Sequence, residues 1–578
     1  MGNIKDICCF ENASLRQVMI IIESASSNDL PSGIAIIVNS NWKVVGTITD
    51  GDVRRALLSQ ESTNVEACEI MNKNPIYFEE TLSVREILEK LPEELLKRNR
   101  KTSRYLSKIL IVDKYESPVR IIEYHELWEQ KVATHRHIVV VGLGYVGLTM
   151  GVVMADAGFM VTGVEMNSEK CELLKKGESY IHEVGLQELL REQINKNFKV
   201  SVSLPADGDV YIISVGTPVV ANEAGKKVPI LKYLREACEN IGNKLNRGNL
   251  VVLRSTVPIG TCRSFVKNIL EETSKMRCGI DFHLSFAPER TAEGKALKEL
   301  RTLPQIIGGY NSDSLEVTAA IFRDLTPTIV KVDSLESAEM AKLINNSFRD
   351  YVFAYANQMA KIASTFNIDV FKVIKAANEG YIRDPVPLPS PGVGGPCLTK
   401  DPHIFASVAE TVLFDPEIFV KGREINESMH EHVFQQVNTC LEFTGKTLKN
   451  SRVLIAGIAF KGNPETGDIR NSSAVEIAEL FRNSCSDLFV YDPVARKSEL
   501  EEFGYKTVDL PDGFRTMDVV LFLNNHKIFE KVDVFSMVRS MSDKPIIYDG
   551  WNIFRAEEIV SVRPSSYINL SYFKTSVI

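Results

Sequence analysis

At 578 residues, with 44% apolar and 25% charged side chains, the chain has an ordinary globular composition and the length of three or four domains. Its net charge of −8 at pH 7 lacks the basic excess typical of nucleic-acid-binding proteins, so we expect no such partner. Its ten cysteines include no CxxC pair, which argues against a metal site or disulfide framework and favours reduced thiols in the cytoplasm.

The first 130 residues contain an internal repeat of helix, strand, turn, strand and helix. The first copy ends in GTITDGD and resembles a cystathionine-β-synthase (CBS) motif, and the pair resembles a Bateman module. This resemblance implies an adenine-nucleotide site in which Thr49 and Asp52 contact the phosphate and the ribose. The second copy has Glu123 and Glu126 instead of the Gly and Thr, so at most one nucleotide site is expected. A pair that only packs or dimerises remains the alternative.

An uncharged run from Ile138 to Ala155 is long enough to span a membrane, but its glycines argue against that interpretation. Gly142, Gly144 and Gly147 form a GxGxxG pattern between a β-branched strand and a helix. That order is typical of a dinucleotide-binding turn, which aims a helix N-terminus at a pyrophosphate. The pattern therefore predicts a coenzyme site and no membrane partner.

An acidic residue follows the glycine turn at the spacing expected of a ribose contact. Glu165 lies eighteen residues after Gly147, at the end of the next predicted strand. A carboxylate there accepts hydrogen bonds from ribose hydroxyls and repels a 2′-phosphate, which predicts NAD rather than NADP. Further strands, DVYIISVG and NLVVLRSTVP, extend a parallel sheet and lead to two further candidate coenzyme contacts, Thr217 and Thr256.

The pattern turns helical from about Ser334 to Gly380, without internal proline, which suits a connector and a dimer seam. After a second helical stretch, RVLIAGIAFKG opens another α/β unit, in which Ser473 and Glu476 predict a capping box. The predicted fold is α/β: two Rossmann-like doubly wound domains joined by a helical region and preceded by a small α/β CBS pair. The predicted domains are residues 1–130, 137–330, 331–445 and 446–578.

One cysteine lies in a loop of glycine and proline, PSPGVGGPCLTKDP. Small residues around Cys397 suggest close approach of a ligand, and the ammonium of Lys400 would favour the thiolate, which is the nucleophilic form. Taken alone, such a cysteine is more often a buried structural residue. Other motifs have to decide between these interpretations.

Four motifs in order make residues 137–578 resemble the nucleotide-sugar 6-dehydrogenases, a family that contains UDP-glucose and UDP-N-acetylmannosamine dehydrogenases. The matches are STVPIG with Thr256, PERTAEG with Glu289 and Glu293, KLINN with Lys342 and Asn346, and GGPCLTKD with Gly394, Cys397 and Asp401. Lys342 and Asn346 are four residues apart on a predicted helix, and therefore face the same volume.

The resemblance implies oxidation of a primary alcohol to a carboxylate with two NAD⁺ consumed. Cys397 would form a thiohemiacetal with the intermediate aldehyde and then a thioester. Lys342 and Asn346 would stabilise the oxyanion, and Asp401, with a water near Thr256, would accept protons. Glu289 would assist hydrolysis of the thioester, with Glu293 in the same segment.

The resemblance also implies a UDP-sugar site that involves the last domain. Lys461 would meet the diphosphate, Asp468 and Arg470 would shape the loop, and Gly394 would let the sugar approach. Arg555 matches another anion contact, and Arg383 would reach the substrate of a neighbouring subunit in a homodimer or larger homo-oligomer. Ordinary surface charge is the alternative for each arginine.

The identity of the sugar stays open at this stage. The cysteine and PERTAEG segments look nearer to enzymes of UDP-N-acetylhexosamines, which serve surface-polysaccharide synthesis, than to those of UDP-glucose. Pro396 stands where the mannosamine enzymes often have histidine, so mannosamine, glucosamine and galacto-configured substrates all remain possible. The alternatives are UDP-glucose oxidation, a simple two-electron hydroxyacid dehydrogenase and a catalytically silent nucleotide-sensing scaffold.

Overall fold

A computed structural model describes most of the chain. The described residues are 4–25, 33–59, 65–82, 86–87, 90–91, 94, 97, 108–123, 136–411 and 414–576. Among these residues, none of the helices combines the length and apolar composition of a bilayer-spanning segment.

The N-terminal module consists of two small sheets of the same topology. Its elements are β1 (Cys8–Phe10), α1 (Leu15–Ser24), β2 (Ile34–Val38), β3 (Val44–Thr49), α2 (Asp50–Ser59), α3 (Ala67–Ile70), β4 (Tyr77–Glu79), β5 (Lys108–Val112) and β6 (Pro118–Glu123). In the orders β1-β2-β3 and β4-β5-β6, the first pair is parallel and the second antiparallel. The strands therefore confirm the internal repeat, whereas the helices predicted for its second copy lie largely outside the described residues. Buried residues of the second copy, among them Phe78 and Ile111, belong to the same apolar core as the sheet that follows.

An eight-stranded sheet forms the first Rossmann-like unit. Its elements are β7 (His137–Val141), α4 (Tyr145–Asp156), β8 (Met160–Val164), α5 (Ser168–Lys175), α6 (Leu186–Gln193), β9 (Phe198–Ser201), β10 (Val210–Ile213), β11 (Val219–Ala221), β12 (Lys227–Pro229), α7 (Lys232–Gly242), β13 (Leu250–Leu253), α8 (Lys267–Ser274), β14 (His283–Phe286), α9 (Ala296–Thr302), β15 (Gln305–Gly309), α10 (Ser312–Arg323) and β16 (Ile329–Val332).

The order of its strands is β16-β15-β14-β13-β10-β7-β8-β9, with β14 and β15 antiparallel and the other neighbours parallel. Strands β7, β10 and β13 are runs of apolar residues because helices cover both faces of the sheet. The chain leaves β7 on one side through β8 and returns on the other through β10. Open α/β sheets bind ligands where the strand order reverses, at the carboxyl ends of β7 and β10.

Helices fill the centre of the chain: α11 (Leu335–Thr365), α12 (Val370–Asn378), α13 (Asp401–Thr411) and α14 (Glu417–Phe443). The region predicted to be helical, from about Ser334 to Gly380, is helical and is divided into α11 and α12. Asn367 adopts φ +53°, the left-handed conformation that asparagine tolerates and a helix cannot contain. Ser334 caps α11 by accepting a hydrogen bond from the Ser337 amide at 3.1 Å.

A seven-stranded sheet forms the second Rossmann-like unit. Its elements are β17 (Arg452–Ala456), α15 (Ser473–Arg482), β18 (Asp487–Tyr491), α16 (Lys497–Glu502), β19 (Lys506–Thr507), β20 (Val519–Phe522), α17 (Val534–Ser540), β21 (Ile546–Asp549), α18 (Ala556–Val562), β22 (Ser566–Asn569) and β23 (Phe573–Thr575). The order is β19-β18-β17-β20-β21-β22-β23, parallel except for β23.

The cap of α15 differs from the predicted one. Ser473 is the first helical residue, and the N-cap is Ser472, whose hydroxyl accepts a hydrogen bond from the Ala474 amide at 3.2 Å. Two adjacent serines leave the sequence ambiguous by one position. The extended backbone of Ser472, with ψ 132°, decides it.

Candidate active site

The glycine turn lies at the end of β7, where it lines a cavity of about 720 Å³. Gly142 has φ +88°, and a Cβ on Gly147 would lie 1.9 Å from the carbonyl oxygen of Gly142, so the tight turn requires both glycines. A Cβ on Gly144 would meet nothing within 4 Å, which leaves room for a ligand at the start of α4. The cavity therefore fits a dinucleotide whose pyrophosphate faces this helix N-terminus.

Glu165 lines the same cavity, and its Oε1 accepts a hydrogen bond from the Asn167 amide at 2.9 Å. The side chain of Thr217, the next predicted coenzyme contact, is hydrogen-bonded within the chain. Its buried hydroxyl donates to the carbonyl oxygen of Thr256 at 2.6 Å and joins the turns that follow β10 and β13. The half-buried Thr256 thus lies beside the end of the coenzyme cavity.

The Cys397 loop approaches the second Rossmann-like unit closely. A Cβ on Gly394 would lie 2.6 Å from the carbonyl oxygen of Asn471, and the amide of Gly395 donates to that oxygen at 2.9 Å. Gly395 has φ +94°. The glycines are therefore explained by packing between parts of this chain rather than by approach of a ligand.

Cys397 is exposed where the segment of Glu293 meets Lys461 of the second Rossmann-like unit, and the space between the two units there is the cleft. The electrostatics of the thiol differ from the prediction. The surrounding walls displace solvent and raise the pKa of the thiol; Asp401 raises it further, and Lys342 and Lys400 only partly oppose this. The effect of Lys400 on the pKa of Cys397 is small because its ammonium is paired with Asp401, 2.6 Å from Oδ1. These contributions oppose the expected thiolate and favour the neutral thiol.

Helix α11 brings two hydrogen-bond donors to the thiol loop. The ammonium of Lys342, which is 8% exposed, donates to the carbonyl oxygen of Glu289. The side-chain amide of Asn346 donates to Oδ2 of Asp401 at 2.5 Å. Asp401 is fully buried, and its amide donates to the carbonyl oxygen of Cys397 at 2.9 Å. Lys342, Asn346, Cys397 and Asp401 thus form one cluster.

Glu289 and Glu293 lie in an irregular segment, so their spacing is not that of two residues on one helix face. Glu289 is 6% exposed and pairs with the Arg254 guanidinium through Oε2, while Oε1 accepts from the Arg290 and Thr291 amides. Burial alone would raise the pKa of Glu289, but Arg254 and the amides hold it below the usual value. Glu289 is therefore a fixed carboxylate with both oxygens engaged.

The pKa of Glu293 is shifted in the opposite direction from that of Glu289. Burial, followed by the nearby carboxylate of Asp468, raises its pKa to about 7 despite Lys461 and Arg470. Among the described residues, the one side-chain group that donates a hydrogen bond to its carboxyl group is the Thr466 hydroxyl, 3.3 Å from Oε2. A carboxyl group that titrates near neutral pH beside a reactive thiol is suited to proton transfer.

Two cations of the second Rossmann-like unit face residues 289–296, the acidic segment that contains Glu289 and Glu293. The Lys461 ammonium donates to the carbonyl oxygen of Glu293 at 2.8 Å, and burial lowers its pKa. The Arg470 guanidinium is held by Asp468, with Nε 2.9 Å from both carboxylate oxygens. The predicted UDP contacts therefore lie opposite the thiol cluster, across the cleft.

Two predicted arginines do not join the site. Arg383 is exposed on the segment after α12, and the Arg555 side chain is 82% exposed, 3.8 Å from Glu558. Within the described part of one chain, neither has a hydrogen bond or ion pair that connects it to the cleft.

Sequence reasoning missed three residues that belong to the cleft. Arg349 follows Asn346 by three positions and Lys342 by seven, and its charge helps to lower the pKa of Lys461. Helical spacing from KLINN was the available signal. Glu183 and Tyr145 form a buried hydrogen bond beside Gly294. These two residues are 38 positions apart, and no local pattern predicts their contact.

In the N-terminal module, the predicted nucleotide residues contact each other. The amide and hydroxyl of Thr49 donate to Oδ2 of Asp52 at 2.8 and 2.7 Å, and Arg55 lies 2.5 Å from Oδ1. A ribose would therefore have to compete for this carboxylate. Glu123 ends β6, whereas Glu126 lies outside the described residues.

Comparison with protein families gives four matches. Residues 136–326, 336–428 and 454–556 match the NAD-binding, central and UDP-binding domains of the UDP-glucose/GDP-mannose dehydrogenase family. Residues 3–59 match the CBS domain. The last match covers the first copy of the repeat.

Individual relatives agree with these families. The chain is 32% identical over 413 residues to UDP-N-acetyl-D-mannosamine dehydrogenase of Methanococcus aeolicus, covering 71% of this chain and 90% of the relative. The solved UDP-D-ManNAc dehydrogenase of Pyrococcus horikoshii is 31% identical, with a TM-score of 0.67 over 75% of this chain and 99% of that one. An NDP-N-acetyl-D-galactosaminuronic acid dehydrogenase of Methanosarcina mazei is 28% identical, with a TM-score of 0.64 over 78% and 98%.

Proposed function

The chain belongs to the UDP-glucose/GDP-mannose dehydrogenase family as an NAD-dependent UDP-sugar dehydrogenase, and from this premise we propose that it oxidises C6 of a UDP-N-acetylhexosamine to the carboxylate. The observation that carries the proposal is the cluster of Cys397 with Lys342, Asn346 and Asp401 at the cleft. A two-electron dehydrogenase would need no thiol there. UDP-N-acetyl-D-mannosamine is the first candidate because the relatives named above for a mannosamine substrate are at least 31% identical.

Bound in the cavity at the glycine turn, NAD⁺ would supply the hydride acceptor for each of two oxidations at C6. The first oxidation converts the C6 alcohol to an aldehyde and releases one proton. The Cys397 thiol adds across the aldehyde carbonyl to give a thiohemiacetal, whose oxidation gives a thioester and a second proton. Water then cleaves the C–S bond, which yields the carboxylate, a third proton and the free thiol.

Two donors are placed to stabilise negative oxygen at C6. The Lys342 ammonium and the Asn346 amide project from one face of α11 toward the Cys397 loop. Both are anchored before substrate arrives, Lys342 on the Glu289 carbonyl and Asn346 on Asp401. Donors that are already oriented need little rearrangement when charge develops on oxygen. Asp401, with both oxygens engaged, serves to position Asn346 and Lys400.

Glu293, rather than the expected Glu289, is the better proton acceptor for hydrolysis of the thioester. Glu289 would have to give up Arg254 and two amides, whereas Glu293 titrates near neutral pH. A general base works as the carboxylate, so the hydrolytic rate rises with pH through about 7 and is level above it.

We expect Glu293→Gln to lower turnover about 100-fold at pH 8 and to abolish the rise through pH 7, because the amide accepts no proton. The measurement is a pH profile of NADH formation from UDP-N-acetyl-D-mannosamine. Glu272→Gln, at an exposed carboxylate on α8, is the control and should keep the wild-type profile. A rise through pH 7 that persists in Glu293→Gln would assign the base to another residue.

The substrate assignment is tested by incubating the enzyme with separate UDP-sugars and counting NADH formed per sugar consumed. We expect two NADH per UDP-N-acetylhexosamine, fastest with the mannosamine compound, for supply of a uronate to surface polysaccharide. Two NADH from UDP-glucose alone would favour the glucose alternative. One NADH per sugar would indicate a simple dehydrogenase, and none with any sugar a silent scaffold.

A homodimer is proposed from the far side of α11. An apolar stripe there points away from Lys342 and Asn346, because its residues lie on the opposite face, about 180° around the helix axis. It consists of Met340, Ile344, Phe348, Tyr351, Tyr355 and Ile362, each at least 41% exposed. A second copy would cover this stripe by two-fold symmetry and bring the exposed Arg383 toward a neighbouring substrate. Analytical ultracentrifugation that finds only monomers would contradict this.

Regulation by an adenine nucleotide at Thr49 and Asp52 is proposed from the CBS match. The second copy shares its core with the NAD-binding sheet, so ligand-induced movement in the module has a route to the enzyme. Calorimetry of the full chain with AMP and ATP tests it, with Asp52→Ala expected to lose binding.

The cytoplasm is the proposed compartment because all ten cysteines are free thiols.

A further inference from the structure

A buried hydrogen-bonded junction lies between the coenzyme turn and the acidic segment. The Tyr145 hydroxyl donates to Oε2 of Glu183. The amide of Gly294 donates to the same oxygen at 2.6 Å and approaches the Tyr145 hydroxyl at 3.2 Å. Oε1 of Glu183 accepts from the Ala296 amide at 2.8 Å. Three segments distant in the sequence thus meet at one carboxylate that is 5% exposed.

One end of this junction belongs to the coenzyme site. Tyr145 is the first residue of α4, directly after Gly144, at the helix terminus that lines the coenzyme cavity. A coenzyme pyrophosphate bound at the glycine turn would draw on the amides at this terminus. Any adjustment of the terminus moves the Tyr145 backbone, and through its hydroxyl the carboxylate of Glu183.

The other end belongs to the substrate side. Gly294 follows Glu293, whose carbonyl oxygen accepts from Lys461, the proposed diphosphate contact. The segment has little freedom there, because a Cβ on Gly294 would lie 2.6 Å from the carbonyl oxygen of Glu465. The acidic segment is thus held between Glu183 on one side and the second Rossmann-like unit on the other.

Hydrogen bonds to a buried carboxylate are stronger than neutral ones, and leaving such a group unpaired is costly. Tyr145, Glu183 and the 293–296 segment are therefore expected to move together rather than separately. We propose that Tyr145 is a positioning residue that couples NAD⁺ binding to the arrangement of the Glu293 segment, so that NAD⁺ and the UDP moiety bind cooperatively. This inference rests on the proposed function only in requiring that both ligands bind the same chain.

The test measures NAD⁺ affinity by titration calorimetry with and without saturating UDP, so that no turnover occurs. We expect UDP to strengthen NAD⁺ binding at least about fivefold in the wild type, within the usual range for coupled sites. In Tyr145→Phe this factor should fall below about twofold, and Glu183→Gln should give the same loss. The reciprocal titration, of UDP with and without NAD⁺, must return the same factor.

Tyr180→Phe is the matched control, since it also removes one tyrosine hydroxyl beside the coenzyme. That hydroxyl donates to the carbonyl oxygen of Leu143 at 2.5 Å and interacts with Glu165, and both of these residues line the coenzyme cavity. NAD⁺ affinity is expected to weaken in Tyr180→Phe while the coupling factor stays at least fivefold.

A wild-type factor below about twofold, or an undiminished factor in Tyr145→Phe, would overturn the inference. Equal loss of coupling in Tyr180→Phe would overturn it as well, because any disturbance of the turn would then suffice. Failure of the protein to bind either NAD⁺ or UDP is a different result, which would contradict the proposed function itself.

Discussion

Cys397→Ala is expected to lower uronate formation by about four orders of magnitude or more, because loss of a covalent nucleophile typically costs that much. An aldehyde carbon has no oxyanion from which a hydride can be expelled until a nucleophile adds to it. The Cys397 sulfur is the nucleophile exposed to the cleft beside Lys342 and Asn346. Alanine fills the position without adding a polar group, so the binding of NAD⁺ and UDP should stay within about threefold of the wild type.

The measurement is the number of NADH formed per enzyme and per sugar in a single turnover, together with chromatographic analysis of the sugar. The variant should form at most one NADH per sugar, because only the alcohol oxidation remains. Cys68→Ser, at a half-buried thiol of the N-terminal module that donates to Glu66, is the control and should form two. Uronate produced by Cys397→Ala at more than about one hundredth of the wild-type rate would exclude the covalent route.

The coenzyme turn could be predicted because its determinants are local. Three glycines, a preceding strand and an acid eighteen residues later specify the turn without knowledge of distant segments. The structure has Gly142 and Gly147 in contact and Glu165 in the cavity, as the pattern indicated. The helix face of Lys342 and Asn346 was predictable for the same reason, since a spacing of four residues fixes their relative direction.

The electrostatics of the site could not be predicted, because they depend on pairings between distant segments. Lys400 was expected to stabilise a thiolate, but Asp401 neutralises it and the cleft walls raise the pKa of Cys397. Glu289 and Glu293 are the same residue type in one short segment, but the pKa of Glu289 is lowered and that of Glu293 is raised. Arg254, 35 residues from Glu289, makes the difference for one of them.

These differences change the chemistry that is proposed. A neutral thiol has to lose its proton as it attacks the aldehyde, so the step depends on a group able to take that proton. It also depends on donors able to receive the negative charge that appears on C6 oxygen. Helix α11 provides the donors that would receive this charge, and its buried Lys342 ammonium is the cation among them.

Lys342→Met is therefore expected to lower kcat about 100- to 1,000-fold, the usual cost of removing one preorganised donor from an oxyanion site. Methionine keeps most of the length and apolar volume of the lysine side chain, so KM for the UDP-sugar should change by less than about fivefold. A fall in kcat without a change in KM identifies an interaction that matters in the transition state rather than in substrate binding. Steady-state NADH formation at saturating NAD⁺ separates the two constants.

A structural explanation of the same loss has to be excluded, because Lys342 also anchors the Glu289 carbonyl. Lys361→Met removes an ammonium from the same helix at a position away from the cleft. There the Lys361 ammonium donates to the Ser428 hydroxyl at 3.0 Å. Each variant forfeits one hydrogen bond, worth about 1 kcal/mol of stability, and both should therefore melt slightly below the wild type. If only Lys342→Met loses turnover, the ammonium acts on the reacting oxygen. Equal losses in both variants, or a Lys342→Met kcat within tenfold of the wild type, would remove Lys342 from the chemistry and leave Asn346 as the donor.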